Sequence, residues 1–223
     1  FIKHLENSNV DIKVLSLYNL TILLSKAAKS DSHASFVHPE VIIQVFKLLS
    51  SEELLGNTKD ANLQYISIQL LQELVIHKKY KQIYQENNLV ANFKPINQLI
   101  TSLSRLPNSS GLQLLYNVLL TTWVLSFNGP INKTLVHHYP EIIGNLLTIS
   151  KDSIKLKVVR MSISILKNFV SVSVSANERF KTIKLVLFHD GLNAVKVLQD
   201  RKFALNSSDE ELSNDLAYLN ESL

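Results

Sequence analysis

The side chains that could do chemistry are few, and their spacing suits none of the usual chemistries. The chain has seven histidines and no cysteine, so thiol catalysis, zinc knuckles and disulfide frameworks fall away together. His137 and His138 are adjacent, which turns their rings to different sides of a helix, and no carboxylate stands at a ligand spacing from them. His4, His33, His38, His77 and His189 are scattered singly, and each reads as a solvated or capping histidine. The five glycines form none of the patterns G-x-x-x-x-G-K-[ST], G-x-G-x-x-G or G-x-S-x-G, so neither a phosphate cradle nor a nucleophile elbow is present. The expectation is no catalytic residue, no metal, no cofactor and no small-molecule substrate.

What remains is charge. The formal net charge is +4, but residues 1–150 carry 12 Lys and Arg against 10 Asp and Glu, residues 151–202 carry 11 against 4, and residues 203–223 carry none against 5. A basic block thus precedes an acidic tail, and such asymmetry points to partners or to the two ends of one fold. Lys155, Lys157, Arg160 and Lys167 are the candidate partner-binding stripe. The basic residues are spread over several helices and interrupted by Asp152, Glu178 and Asp190, so an acidic helix of a protein partner is favoured over nucleic acid. The shorter cluster His77-Lys78-Lys79-Tyr80-Lys81 reads as a solvated face.

The elements that must position this charge are helical. With 46% hydrophobic residues, five Gly and five Pro in 223, the chain is neither a disordered tail nor a turn-rich β protein. Apolar periodicity predicts helices over 11–29, 39–50, 62–77, 78–86, 89–105, 111–127, 131–138, 140–150, 153–170, 177–189, 191–200 and 208–222. Pro39, Pro130 and Pro140 fall in first turns, Asn128-Gly129-Pro130 is a stop, and Asp190-Gly191 reads as a C-cap followed at once by a new helix. Over 153–170, Ile154, Val158, Met161, Ile165 and Phe169 make one apolar stripe, while Lys157, Arg160 and Lys167 share another side. Ser208 with Glu211 gives a capping box for the last helix, whose Asp209, Glu210 and Glu211 suit the positive end of its dipole.

Residues 106–132 carry no formal charge, long enough to raise a membrane span. Their Gln113, Asn117, Thr121, Thr122 and Ser126, bracketed by Pro107 and Gly129-Pro130, instead predict a buried central helix with no direct span. Five Asn-x-Ser/Thr patterns, at Asn19, Asn108, Asn132, Asn206 and Asn220, reflect composition; Phe1 to Glu6 does not resemble a signal peptide. Because the chain starts at Phe1 and its one methionine is Met161, it reads as a fragment.

Four helices open alike, at Ile12-Lys13, Leu63-Gln64, Leu112-Gln113 and Ile154-Lys155, separated by 51, 49 and 42 residues. Those separations are close to the roughly 40–47 residues of armadillo or HEAT repeats. One such unit cannot bury its apolar face alone, and stacking makes the core. The expected fold is an all-α, armadillo/HEAT-like right-handed α-solenoid of stacked helical repeats. It would occupy residues 1–203, with 204–223 an acidic capped helix that closes the domain or leads to an absent carboxy-terminal one. Importin-type armadillo proteins hold basic peptides with Trp residues followed four positions later by Asn. Here the single Trp123 is followed by Asn128 at the wrong spacing, which disfavours that ligand.

Two ordered segments carry a family resemblance. Gly111-Leu112-Gln113-Leu114-Leu115-Tyr116, on through Leu119-Leu120 to Trp123-Val124-Leu125-Ser126-Phe127-Asn128, strongly resembles the central segment of the H subunit of the vacuolar-type proton-pumping ATPase. Asp200-Arg201-Lys202-Phe203, then Ser208-Asp209-Glu210-Glu211-Leu212 with Asp215 and Leu219, resembles the segment closing that family's large amino-terminal domain. The basic helix from Ile154 to Phe169 fits between them, and Ala204-Leu205-Asn206-Ser207 departs as an insertion. The resemblance implies a non-catalytic regulatory subunit that touches the E and G stalk subunits, supports proton pumping and helps silence ATP hydrolysis by the released catalytic sector. It implies a peripheral position on the cytoplasmic face of vacuolar and other endomembranes, and a cytosolic one with the released sector. The alternative is a generic peptide-binding adaptor outside the pump.

Overall fold

A computed structural model describes residues 2–29, 39–49, 51, 54–55, 60–87, 89, 93–105, 111–204 and 209–223. After a short 3-10 turn, the chain forms α1 (Val10–Lys29), α2 (Pro39–Leu49), α3 (Ala61–Ile76), α4 (Lys78–Glu86), α5 (Lys94–Ser104) and α6 (Leu112–Ser126). It continues with α7 (Gly129–His138), α8 (Glu141–Asp152), α9 (Leu156–Ser171), α10 (Ala176–Phe188), α11 (Gly191–Ala204) and α12 (Glu210–Ser222). No strand occurs among the described residues. Contacts divide the chain into two compact units, residues 1–99 and 100–223.

In the first unit, α1 packs on α3, and α2 on α3 and α4. Leu17, Leu20, Ile42, Phe46, Ile68, Leu71 and Tyr84 are buried, and the Phe46 and Tyr84 rings meet edge to face at 4.9 Å. Asp60 caps α3 by accepting the Leu63 N–H at 2.9 Å. The basic cluster at the joint of α3 and α4 is not a continuous face. Tyr80 is buried in the core, which pushes its phenol above the usual range, and His77 ties back to Glu73 at 3.3 Å.

The second unit is arranged around α9, which touches α6, α7, α8, α10 and α12. Its buried side chains include Val158, Val159, Ile163, Ile165, Leu166, Phe169 and Val170, a broader band than the expected stripe. Ile154 does not join it: α9 begins two residues later, Ser153 runs extended, and Ile154 is 69% exposed. The four matching openings are therefore not equivalent positions. Leu63 is buried, Ile12 faces outward beside a buried Lys13, and Ile154-Lys155 precedes its helix. A dipeptide can recur at any helical phase, whereas packing selects only one.

Helix α6 is buried as its composition predicts, yet it is laced with polar groups. Thr121 and Thr122 donate to the carbonyls of Asn117 and Val118, both at 2.9 Å, and Ser126 donates to that of Trp123 at 2.7 Å. These internal bonds let hydroxyls enter a core without an unpaired donor. No described helix is long and apolar enough to cross a membrane.

The corner expected at 128–130 is real: Asn128 caps α7 by accepting the Ile131 N–H at 3.1 Å, with Pro130 in the first turn. At the next sharp corner the left-handed residue is Asp190 (φ 62°), not Gly191. Gly191 is needed for space, since a Cβ there would lie 2.7 Å from the Val186 carbonyl oxygen.

Asn132, 3% exposed, joins three helix ends. Its amide donates to the carbonyls of Ser126, Asn168 and Val172 at 2.7, 3.2 and 3.3 Å. Asn168 in turn donates to Ser126 Oγ at 2.8 Å. With its amide nitrogen so engaged, Asn132 is not open to a sugar; Asn108 and Asn206 lie outside the described residues. Replacing Asn132 by Ala strips buried carbonyls of their donor and should lower unfolding stability by about 2–3 kcal/mol in urea titration. A loss within experimental error would mean that this junction does not hold α6, α7 and α9 together.

Candidate functional site

The charged stripe expected on α9 splits in two once the helix is in place. Lys155, the residue before the first turn, and Lys157 within it are exposed. Arg160 and Lys167 are half-buried and turn toward α12. The guanidinium of Arg160 reaches Asp209 Oδ2 through Nε at 2.8 Å and Nη2 at 2.5 Å, and Glu211 lies 4.0 Å away. Lys167 Nζ is 2.9 Å from Asp215 Oδ1. Part of the basic block and part of the acidic tail thus face each other within the chain.

Local chemistry fixes both partners. Asp209 is the N-cap of α12, its Oδ1 accepting the Leu212 N–H at 3.1 Å while its Oδ2 receives Arg160. The cap is therefore Asp209; Ser208, the expected capping residue, lies outside the described residues. Side-chain exposure is 4% for Asp209 and 43% for Arg160, so a nearly buried carboxylate meets a cation that remains partly in water. The hydrogen bond with Asp209 raises the Arg160 pKa above its ordinary value against the opposing effect of burial, and the nearby carboxylates add to the rise. Further along, Arg179 of α10 reaches Tyr218 and Ser222 of α12 at 3.4 and 3.3 Å.

Trp123, at the centre of the first resembling segment, lines the same place. Its indole N–H donates to Ser164 Oγ of α9 at 3.1 Å, and Phe127 packs edge-on to it at 4.8 Å. Trp123, Met161, Ser164, Arg160, Lys167 and Asn214 border a groove of about 470 Å³ between α6, α9 and α12. Arg201, from the second resembling segment, clamps the end of α8. It donates to the carbonyls of Ser150, Lys151 and Ser153, the last at 2.9 Å, and its charge suits the negative end of that helix. Sequence reasoning missed the roles of Arg201 and Asp209. The usable signals were a lone arginine among the final charges of α11 and an Asp at the head of an acidic helix.

Of residues 204–223, expected as an acidic capped helix that closes the domain or leads to an absent one, Ala204 ends α11, and α12 packs on α9 and α11 within the second compact unit. Leu205, Asn206 and Ser207 of the insertion lie outside the described residues.

Arg160→Met removes the cation facing a nearly buried carboxylate, and Asp209→Asn keeps a capping oxygen while removing the charge. Each change should lower stability by about 1–2 kcal/mol, with a coupling of about 1 kcal/mol in a double-mutant thermal cycle because Arg160 is partly screened. Strict additivity of the two changes would show that the pair contributes nothing as a pair.

The solved structures similar to this chain include a designed armadillo repeat protein. An engineered protein from the Northeast Structural Genomics Consortium matches at TM-score 0.57 and 13% identity, over 99% of this chain and 94% of its own. A designed armadillo repeat protein matches at TM-score 0.51 and 13% identity, over 100% and 98%. At such identities the likeness shows the fold, an all-α armadillo-like solenoid. The family profile of the V-ATPase H subunit matches residues 1–223, with both resembling segments inside it. That family is a regulatory, peripheral part of the pump, and its partners are other pump subunits. The chain belongs to the V-ATPase H-subunit family.

Proposed function

We propose that this chain acts as a non-catalytic regulatory and stator-binding module of the vacuolar-type proton pump. On this reading it activates ATP-driven proton transport in the assembled complex and helps silence ATP hydrolysis by the released catalytic sector. The observation that carries the reading is the family match over residues 1–223. Its partners are the E and G subunits of the peripheral stalk. It works on the cytoplasmic face of vacuolar and other endomembranes, and in the cytosol with the released sector.

A solenoid offers surface rather than a pocket lined for catalysis. Of the four cationic residues at α9, Lys155 and Lys157 are the exposed ones and are the partner-facing pair in this reading. Arg160 and Lys167 act on the stalk contact by keeping α12 seated through Asp209 and Asp215.

The test is binding of the full chain to a purified E/G pair. Replacing Lys155 and Lys157 together by Glu should weaken affinity about ten-fold and flatten its dependence on salt, with the melting temperature unchanged. Unaltered affinity and salt slope would remove these two lysines from the interface, and no binding by the native chain would reject the stalk assignment. In cells, deleting the parent gene should abolish vacuolar acidification while other pump subunits remain present.

A further inference from the structure

Helix α10 is only half used by the fold. It buries Thr182 and Val186, while Phe180, Leu187 and Phe188 are 56%, 39% and 80% exposed. Aromatic and aliphatic side chains grouped on one exposed helix face mark a contact surface more often than a solvated one. Here the face borders a cavity of about 500 Å³ whose lining is overwhelmingly apolar, with Val136, Pro140, Leu185 and Phe188 among its walls.

The charged groups at this cavity are predominantly cationic. Lys181 and Lys184 line it, and Glu178 is its one lining carboxylate among the described residues. That carboxylate is shared between Lys181 at 3.5 Å and Lys133 at 4.0 Å. Lys184 is held 4.5 Å above the Phe180 ring, a cation–π contact that fixes an ammonium beside the apolar mouth. These lysines outnumber the glutamate and leave a positive surplus around a greasy recess. Helices α8 and α10 approach closely: a Cβ on Gly144 of α8 would come within 2.7 Å of His189 Nδ1, just past the end of α10.

We propose that the recess between α10 and the α7–α8 corner binds an acidic amphipathic helix of a protein partner. One large apolar side chain enters between Pro140, Leu185 and Phe188, and flanking carboxylates meet Lys181 and Lys184. This is the helix-in-groove mode, in which apolar anchors give affinity and charge gives orientation. A lipid surface is the poorer occupant, since a flat bilayer would leave a recess of this volume unfilled. The proposal stands apart from the stalk contact assigned to Lys155 and Lys157.

The test uses the full chain and a labelled helical peptide of about four turns, with Phe and Leu at i and i+4 on one face and Glu elsewhere. One control peptide has Lys for every Glu, and another has Ala for Phe and Leu. Fluorescence anisotropy should show binding of the first peptide alone, weakened about ten-fold by Lys181→Glu with Lys184→Glu and by a similar factor by Phe188→Ala. All three side chains are exposed, so melting temperatures should hold. Lys155→Glu with Lys157→Glu should leave peptide binding unchanged, which separates this site from the stalk reading. Equal binding of the three peptides, indifference to the α10 variants, or displacement of the peptide by phosphatidylserine vesicles that sediment with the chain would overturn the proposal.

Discussion

Helix α9 must lie against five other helices at once, and the second compact unit is built on meeting that demand. A helix surrounded on most sides is expected to be apolar nearly all round, yet α9 carries Lys157, Arg160 and Lys167. The conflict is resolved by where each cation ends up. Lys157 stays exposed near the start, while Arg160 and Lys167 meet the carboxylates of α12. Burying cations without those partners would be costly, and leaving Asp209 without Arg160 equally so. The acidic helix and the basic helix each make the other's burial tolerable.

The same logic of polar groups at helix ends recurs around α9. Asn132 gathers carbonyls from the ends of α6 and α9, and Arg201 gathers those at the end of α8. Helix termini leave carbonyls without intrahelical donors, and stacked repeats bring many such ends together. A solenoid with few glycines and no disulfide must satisfy them with side chains from neighbouring helices. Of the residues that carry the family resemblance, Arg201 serves this end, while Trp123 ties α6 to α9 through the Ser164 hydroxyl. Their hydrogen bonds span 48 and 41 residues, respectively. In this unit both residues tie stacked helices together.

Much of this architecture is legible in the residues themselves. Most helix limits fall within a few positions of those read from periodicity and from Asn128-Gly129-Pro130, although α5, expected from 89, begins at Lys94. Two other departures have local causes. Helix α9 starts late because Ser153 adopts an extended conformation. At Asp190-Gly191 it is Asp190 that adopts the left-handed conformation, which Asp tolerates, while Gly191 fits closely against Val186. The recurrent dipeptides do not mark equivalent sites. Similar spacing can arise from any phase of a helix, and burial then differs between Ile12, Leu63 and Ile154.

By itself the sequence determined that the chain is helical, where its turns lie, and that its histidines and glycines form no recognisable catalytic motif. It also carried the charge asymmetry, +7 over residues 151–202 followed by −5 over 203–223. Only the tertiary structure decided what that asymmetry means. Helical periodicity assigns Arg160 and Lys167 to a face, but the neighbour covering that face comes from 49 and 48 residues further along the chain. Coulomb attraction depends on distance in space rather than in sequence, so the stripe that reads as open to a partner is half closed by the chain's own tail.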